Sequence, residues 1–263
     1  MFEKMPFIDR NPTPSEELFI QALMSSFSDG SGWETDPDGT SRIGWRQIER
    51  MLSIFFSGRS HIEDKDVFDL IVKYWSDPKK SVGISVKSKI LGEKKQIFRE
   101  NNDPRLYMEL SNSMAKFWQE INRKLSLDES CFRAKTHAQQ IGDCVLNLVS
   151  CWHIERKTAL SDVGGNLDLP LSRFVSVSFS DWSAETGRSF QVHSFDLSFP
   201  KVKWHYSSDK CLRGIDPNNN HLFDWYGLSG GQLKYYPDSN AALYQSKIIE
   251  LKRLASNDIV NQL

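Results

Sequence analysis

The sequence is poor in the features that mark exported, membrane and disulfide-stabilised proteins. It has four cysteines in 263 residues and no CxxC pair, so neither a disulfide framework nor a common zinc motif is indicated. No uncharged apolar run approaches the roughly 20 residues of a membrane helix. The first ten residues carry Glu3 and Asp9 without an apolar core. No signal peptide is therefore predicted, and a cytoplasmic protein is expected.

The short motifs of three common enzyme classes are also missing. No GxSxG, GxxxxGK[ST] or HExxH pattern occurs, so the serine-hydrolase, P-loop and zinc-protease chemistries have no support. The net charge is only −1, which excludes a chain that is strongly basic overall. Any binding to nucleic acid must come from a local cluster of cations.

What is present is the composition of a globular chain, with 39% hydrophobic and 25% charged residues. No linker or internal repeat is visible, so a single domain over residues 1–263 is predicted. Periodicity predicts N-terminal helices at 14–56, a hairpin with a following acid at 66–100, helices at 105–159, and a strand-rich part at 170–263. Within these regions, helices are expected over 105–125 and 241–255.

Residues 66–100 hold the pattern on which the functional interpretation depends. Two apolar, partly β-branched runs, 67–75 and 81–90, flank a polar segment around Pro78, which is typical of a hairpin turn. A turn there would set Asp69 roughly opposite Ser88, one or two positions from Lys87. A slip of one residue would send the acid and the lysine to opposite faces, so the register decides whether they meet.

An acid and a lysine in one patch of a sheet suit the metal-dependent cleavage of phosphodiesters. Carboxylate oxygens are preferred ligands of Mg²⁺, and the ion polarises a phosphate and lowers the pKa of its water. A lysine nearby can orient that water and offset the developing charge. Ser85 and Lys87, two residues apart on one strand, share a face of the sheet.

Asp69, Ser85-x-Lys87 and the later Glu100 resemble the PD-(D/E)xK nuclease superfamily. The closest resemblance is to the type II restriction endonucleases that cut CCGG-containing sites, in which the middle acid has moved to the following helix. The resemblance implies that Asp69 and Glu100 are metal ligands, Lys87 is the catalytic lysine and Ser85 is the vacated position. It covers about 35 residues, and Phe68 stands where the superfamily has proline.

The same resemblance has implications for the fold, the activity and the partners. It implies an α/β fold, restriction-endonuclease-like, with a mixed central sheet flanked by helices. Glu49, on the helix predicted before the hairpin, corresponds by analogy to an additional acid. The expected activity is that of a type II site-specific deoxyribonuclease that uses Mg²⁺, needs no small-molecule cofactor and cuts double-stranded DNA as a homodimer.

Cations crowd around the predicted active site, and clustered cations give sequence-independent affinity for DNA by releasing counterions. Besides Lys87, they are Lys79, Lys80, Lys89, Lys94, Lys95 and Arg99. Residues that read bases are expected in the C-terminal part, among the polar side chains that can pair with base edges. These are Arg188, Gln191, His193, Asn218, Asn219 and Asn220.

Two other interpretations stay open. A non-catalytic DNA-binding module would keep the basic hairpin and bind DNA without cutting it. An unrelated hydrolase or a carbohydrate-binding protein is suggested by the eight tryptophans. The relevant ones are Trp204 and Trp225, each with a tyrosine close by, because exposed aromatic rings stack on sugars.

Overall fold

A computed structural model describes residues 3–26, 33–35, 41–57, 67–91, 105–180 and 189–251. Its helices are α1 Pro14–Ser25, α2 Trp45–Ser57, α3 Met114–Leu125, α4 Glu129–Arg133 and α5 Ala138–Asp162, with 3₁₀ turns at Leu169–Leu171 and Ser239–Ala241. Its strands are β1 Trp33–Thr35, β2 Ser41–Ile43, β3 Leu70–Tyr74, β4 Asp77–Leu91, β5 Met108–Ser111, β6 Arg173–Ser180, β7 Ser189–Asp196, β8 Lys203–Tyr206, β9 Leu212–Ile215, β10 His221–Trp225, β11 Leu233–Tyr235, β12 Tyr244–Gln245 and β13 Ile249–Glu250.

The chain divides into two compact units. The first unit comprises Met1–Asn102, Leu160–Asp196 and Ala242–Leu263, and the second comprises Asp103–Ala159 and Leu197–Ala241. The sequence shows no linker at these borders, so composition alone does not indicate the division. A mixed parallel and antiparallel sheet with helices beside it confirms the predicted α/β fold class.

The first unit is built on a six-stranded sheet with the order β12-β7-β6-β4-β3, in which β13 also pairs with β7. β4 runs parallel to β6, and the other pairs are antiparallel. Alternation along β4 sends Val82, Ile84 and Val86 into a core that α1 and α2 share. The opposite face of β4 therefore carries Ser85 and Lys87.

The predicted hairpin is present as β3 and β4, but its turn lies earlier than expected. Trp75 and Ser76 form the turn, and Pro78, the expected turn residue, belongs to β4. The Trp75 indole donates a hydrogen bond of 2.9 Å to the carbonyl of Phe56, and the Ser76 hydroxyl donates one of 2.7 Å to that of Glu3. These long-range contacts hold the turn where local turn chemistry would not place it.

The earlier turn corrects the register of the hairpin. β3 begins directly after Asp69, and its pairing with β4 sets Asp69 beside Ser85, not beside Ser88 as expected. Directly opposite residues share a face, so the expected pairing would have placed Asp69 on the face away from Lys87. In the observed register the two side chains lie on the same face.

Two of the predicted helices are wrong in part. In the segment 105–125, Met108–Ser111 forms β5, which pairs with β11, and the helix begins at Met114. In the segment 241–255, the described residues form strands β12 and β13 against β7, and Ile249 is buried there. Pairing with a distant strand outweighs the local helical spacing in both segments. Residues 252–255 lie outside the described part of the chain.

The second unit contains an antiparallel five-stranded sheet with the order β5-β11-β10-β9-β8. One face of this sheet is aromatic, with the buried Trp225 ring 5.3 Å from that of Trp118 and 5.7 Å from that of Phe132. Gly142 of α5 lies against the Trp204 ring, where a β-carbon would collide. Trp204 and Trp225 are thus core residues, not the exposed rings that the carbohydrate-binding interpretation needs.

Candidate functional site

Asp69 lies at the open end of the hairpin, immediately before β3. Its Oδ2 accepts a hydrogen bond of 2.6 Å from the backbone N–H of Val86 and one of 3.4 Å from the Ser85 hydroxyl. The ammonium of Lys87 is 3.8 Å from the same carboxylate oxygen. The structure therefore brings Asp69, Ser85 and Lys87 into one small patch.

A close packing contact holds the chain next to the acid. Phe68 is fully buried, and a β-carbon added to Gly83 would lie 2.6 Å from Cδ1 of the Phe68 ring. Only glycine lets the ring approach the strand so closely. Packing of Phe68 thus restrains the backbone just before Asp69, at the position where the resembling superfamily has a proline.

The patch is partly open to solvent. The Asp69 side chain is 29% exposed and the Lys87 side chain 18% exposed, so both are accessible but neither is freely solvated. Partial burial weakens the screening of their charges by water. Both side chains therefore lie at the surface of the unit, next to each other and partly shielded from water.

Lys87, Ser176 and His193 lie side by side on three neighbouring strands of the sheet. Pairing of β4 with β6 places Lys87 beside Ser176, and pairing of β6 with β7 places Ser176 beside His193. Both neighbours are buried, and within the described residues neither Ser176 Oγ nor His193 Nδ1 has a hydrogen-bond partner. Because His193 is buried, it does not suit its expected role as a base reader.

Burial lowers the pKa of His193 to about 4, which predicts a pH-dependent stability. A histidine in the unfolded chain has a pKa of about 6.5, so only the unfolded state takes up this proton as the pH falls from 6.5 to 4. We expect the neutral imidazole to contribute stability above pH 6.5, and about 3 kcal/mol of it to be lost by pH 4. Urea titrations at several pH values measure this loss.

The matched variants for this titration are His193→Gln and His137→Gln, since His137 is exposed. The first should flatten the dependence of the unfolding free energy on pH between 6.5 and 4, and the second should leave it unchanged. Equal slopes in the wild type and His193→Gln would contradict the assignment.

Other predicted site residues do not join this patch in the described structure. Glu49 lies on α2, which packs on the core face of the sheet, whereas Lys87 lies on the opposite face. Glu100, the expected second metal ligand, lies outside the described residues, as do Lys94, Lys95 and Arg99.

The described cations of the hairpin fall into two groups, not one patch. Lys79 and Lys80 lie at the start of β4, about 25 Å from Lys87 at the usual rise of a strand. The Lys80 ammonium is 3.0 Å from Asp168, and its hydrogen bond to that carboxylate raises the pKa of Lys80. Lys89, two residues beyond Lys87, is the nearer cation of the predicted set.

Asp69 can offer one oxygen to a metal ion. Its Oδ2 is occupied by the contacts described above, whereas within the described residues no donor contacts Oδ1. Mg²⁺ at phosphate-processing sites commonly takes one or two carboxylates and fills its shell with waters and phosphate oxygens, so Asp69 fits. The described part of the chain holds no group of three His, Cys, Asp or Glu side chains suited to a metal.

The sequence interpretation missed a second polar cluster, around Asp224 on the sheet of the second unit. Asp224 is buried and lies 3.0 Å from the Arg213 guanidinium. This cluster lies on strands β9 to β11, which are three to five residues long. The loops between them are rich in asparagine and glycine. Short apolar and polar alternation at 212–215, 221–225 and 233–236 is the signal that could have revealed them.

Comparisons with known proteins found no match among protein-family models, curated proteins or solved structures. In the described segments, no helix has the length and apolar character needed to cross a membrane.

Proposed function

We propose that this chain is a Mg²⁺-dependent type II restriction endonuclease that hydrolyses phosphodiester bonds of double-stranded DNA at specific sites. The observation that carries the proposal is the approach of Lys87 Nζ to Asp69 Oδ2 at 3.8 Å, beside Ser85. An acid before one hairpin strand and a lysine on the next is the arrangement that the resembling nucleases use. Both side chains are accessible to a substrate phosphate.

Each residue of the patch has a separate role in this proposal. Asp69 would hold Mg²⁺ with its carboxylate, whose Oδ2 accepts the hydrogen bond of the Val86 N–H. The metal, when bound, polarises the phosphate and lowers the pKa of a water. Lys87 donates to the attacking water or to a phosphate oxygen and offsets the negative charge of the transition state. Ser85, at the position that the resemblance marks as vacated by the middle acid, donates a hydrogen bond to the Asp69 carboxylate.

The homodimer belongs to the same proposal. Cutting both strands of a palindromic site needs two copies related by a two-fold axis, and each copy then supplies one Asp69–Lys87 patch to one strand. Such an enzyme acts on DNA in the cytoplasm.

Removal of the metal tests the proposal directly. The purified chain is incubated with a long, sequence-diverse DNA in Mg²⁺, in EDTA, and in EDTA followed by excess Mg²⁺. We expect discrete fragments in the first and third samples and intact DNA in the second, because the site holds the ion by few protein oxygens. Sequencing of the fragment ends would identify the site. Intact DNA in every divalent metal tried would refute the nuclease proposal.

One observation favours a non-catalytic DNA-binding module as the second candidate. Asp69, immediately before β3, already has a structural task, since it accepts a hydrogen bond from the Val86 N–H of β4. In that case the basic hairpin would bind DNA through charge alone. Salt-sensitive gel shifts of the same DNA, without cleavage in any divalent metal, would favour this candidate.

A further inference from the structure

A row of ionisable side chains crosses the five-stranded sheet of the second unit, one from each strand. The register pairs Glu109 with Lys234, Lys234 with Asp224, Asp224 with Arg213, and Arg213 with His205. Paired residues share a face of the sheet, and this face is the one opposite the aromatic core. The signs alternate from Glu109 to Arg213, so each charge has an attractive neighbour.

Asp224 is the buried anchor of this row, with 2% of its surface exposed. Its carboxylate accepts hydrogen bonds from Arg213 Nε at 3.0 Å, Arg213 Nη2 at 3.4 Å and the Tyr236 hydroxyl at 3.2 Å, and His221 Nε2 lies 3.0 Å away. Burial opposes ionisation, but the contacts with His221 and Arg213 outweigh it and lower the pKa of Asp224. Asp224 is therefore an anion at neutral pH, and it fixes the guanidinium beside it.

Arg213 is held from one side and accessible from the other. Its side chain is 37% exposed, and within the described residues Nη1 makes no hydrogen bond. A guanidinium has five N–H donors in a rigid fork, so the contacts with Asp224 leave donors available. Because Asp224 already orders this side chain, a ligand would lose less entropy in binding it.

Lys234 presents a second ordered cation on the same face. Its ammonium lies 4.5 Å from the centre of the Tyr226 ring and 5.5 Å from that of Tyr107. Attraction to two ring faces restrains an otherwise flexible side chain. A compact, restrained ammonium suits a phosphate, which it binds without regard to base identity.

We propose that this face is the base-reading surface of the nuclease, where Arg213 contacts a guanine edge in the major groove and Lys234 contacts a backbone phosphate. The inference rests on the proposed function, since it names the residues that recognise the same DNA. The remaining fork of Arg213 matches the two acceptors of guanine, N7 and O6. Because Asp224 neutralises much of the charge of Arg213, the contact of Arg213 with DNA depends on its unused donors, and Lys234 supplies the ammonium for a phosphate.

Two of the base readers expected from the sequence, Asn220 and Gln191, fit this role less well, and Arg188 lies outside the described residues. The Asn220 side-chain amide is already bonded to Asp216 at 2.9 Å, and the Gln191 amide to the carbonyl of Ser246 at 2.9 Å. Arg213, by contrast, is ordered by its partner and still has unused donors.

The test is an enrichment from short duplexes with randomised centres, without catalysis. The reference protein carries Lys87→Ala, and two further proteins add Arg213→Lys or Lys234→Gln. We expect the reference to select a site that contains a G·C pair in each half. Arg213→Lys should show a weaker preference at that pair, because an ammonium lacks the planar fork of the guanidinium, and should bind the selected site about tenfold more weakly. Lys234→Gln should select the same site, bind it more weakly, and reduce the slope of affinity against salt by about one.

The controls separate recognition from folding and from the proposed function itself. Arg213→Lys can still donate to Asp224, and thermal melting checks that it folds. Lys201→Gln, at an exposed position in the same unit, should match the reference. Unchanged selection and affinity in both Arg213→Lys and Lys234→Gln would overturn this inference while leaving the nuclease proposal intact. A reference protein that selects no sequence would refute sequence-specific recognition, and with it both proposals.

Discussion

A Lys87→Ala chain should bind DNA normally and cleave it about a thousandfold more slowly in Mg²⁺. The ammonium lies 3.8 Å from Asp69 Oδ2, where it can stabilise the charge that grows on the phosphate as the bond to water forms. Removal of one such stabilising donor typically costs a factor of about 10² to 10³ in rate. Initial cleavage rates on a single-site duplex, at saturating protein, measure the effect on the chemical step.

The matched control for this substitution is Lys73→Ala. Lys73 is exposed and lies on β3, the strand next to Lys87, so its removal changes the net charge equally but leaves the patch in place. Its cleavage rate should stay near that of the wild type. Asp69→Asn keeps the shape of the acid and should behave like Lys87→Ala. If Lys87→Ala cleaved DNA as fast as Lys73→Ala does, Lys87 would not be a catalytic residue.

The hairpin shows which part of the site the sequence could predict. Two apolar runs around a polar segment were enough to place β3 and β4 side by side, and Asp69 and Lys87 near each other. The pairing of Asp69 with Ser88 was wrong by three residues, because the turn is fixed by distant partners of Trp75 and Ser76. Local turn chemistry carries no information about such partners.

The second unit shows the opposite case. Its sheet is made of strands of three to five residues, which are too short for a convincing alternation. β5, at Met108–Ser111, is also far along the chain from its partner β11, at Leu233–Tyr235. The row from Glu109 to His205 exists only once those strands are paired. No spacing along the chain relates Arg213 to Lys234, so the proposed reading surface could come only from the structure. The segment at 241–250 is a similar case. Its apolar residues have helical spacing, but it forms strands β12 and β13 because it pairs with β7.

Asp224→Ala should destabilise the protein by about 1 to 3 kcal/mol, which is the usual cost of leaving a buried hydrogen-bonding group without its partner. The Asp224 carboxylate accepts hydrogen bonds from Arg213 and from the Tyr236 hydroxyl. Removal of the carboxylate therefore leaves the buried Tyr236 hydroxyl without this acceptor. Asp209→Ala is the matched control, because Asp209 is 88% exposed and pairs with Lys135 at the surface. Such a surface pair contributes little to stability, because water and salt screen both charges. Urea titration followed by tryptophan fluorescence compares the two variants with the wild type.

The pH dependence of Asp224→Asn gives the same network a second and independent test. The folded-state pKa of Asp224 is lowered relative to about 3.9 in an unfolded chain, so the carboxylate contributes stability above that value and loses it as the pH falls through the folded pKa. The wild type should therefore exceed Asp224→Asn in stability at pH 7, and the difference should shrink below pH 4, where a protonated Asp224 resembles asparagine. A difference that stays constant from pH 7 to pH 3 would mean that shape, and not charge, holds Arg213 in place. Asp224 would then lose its assigned role as the electrostatic anchor of the row.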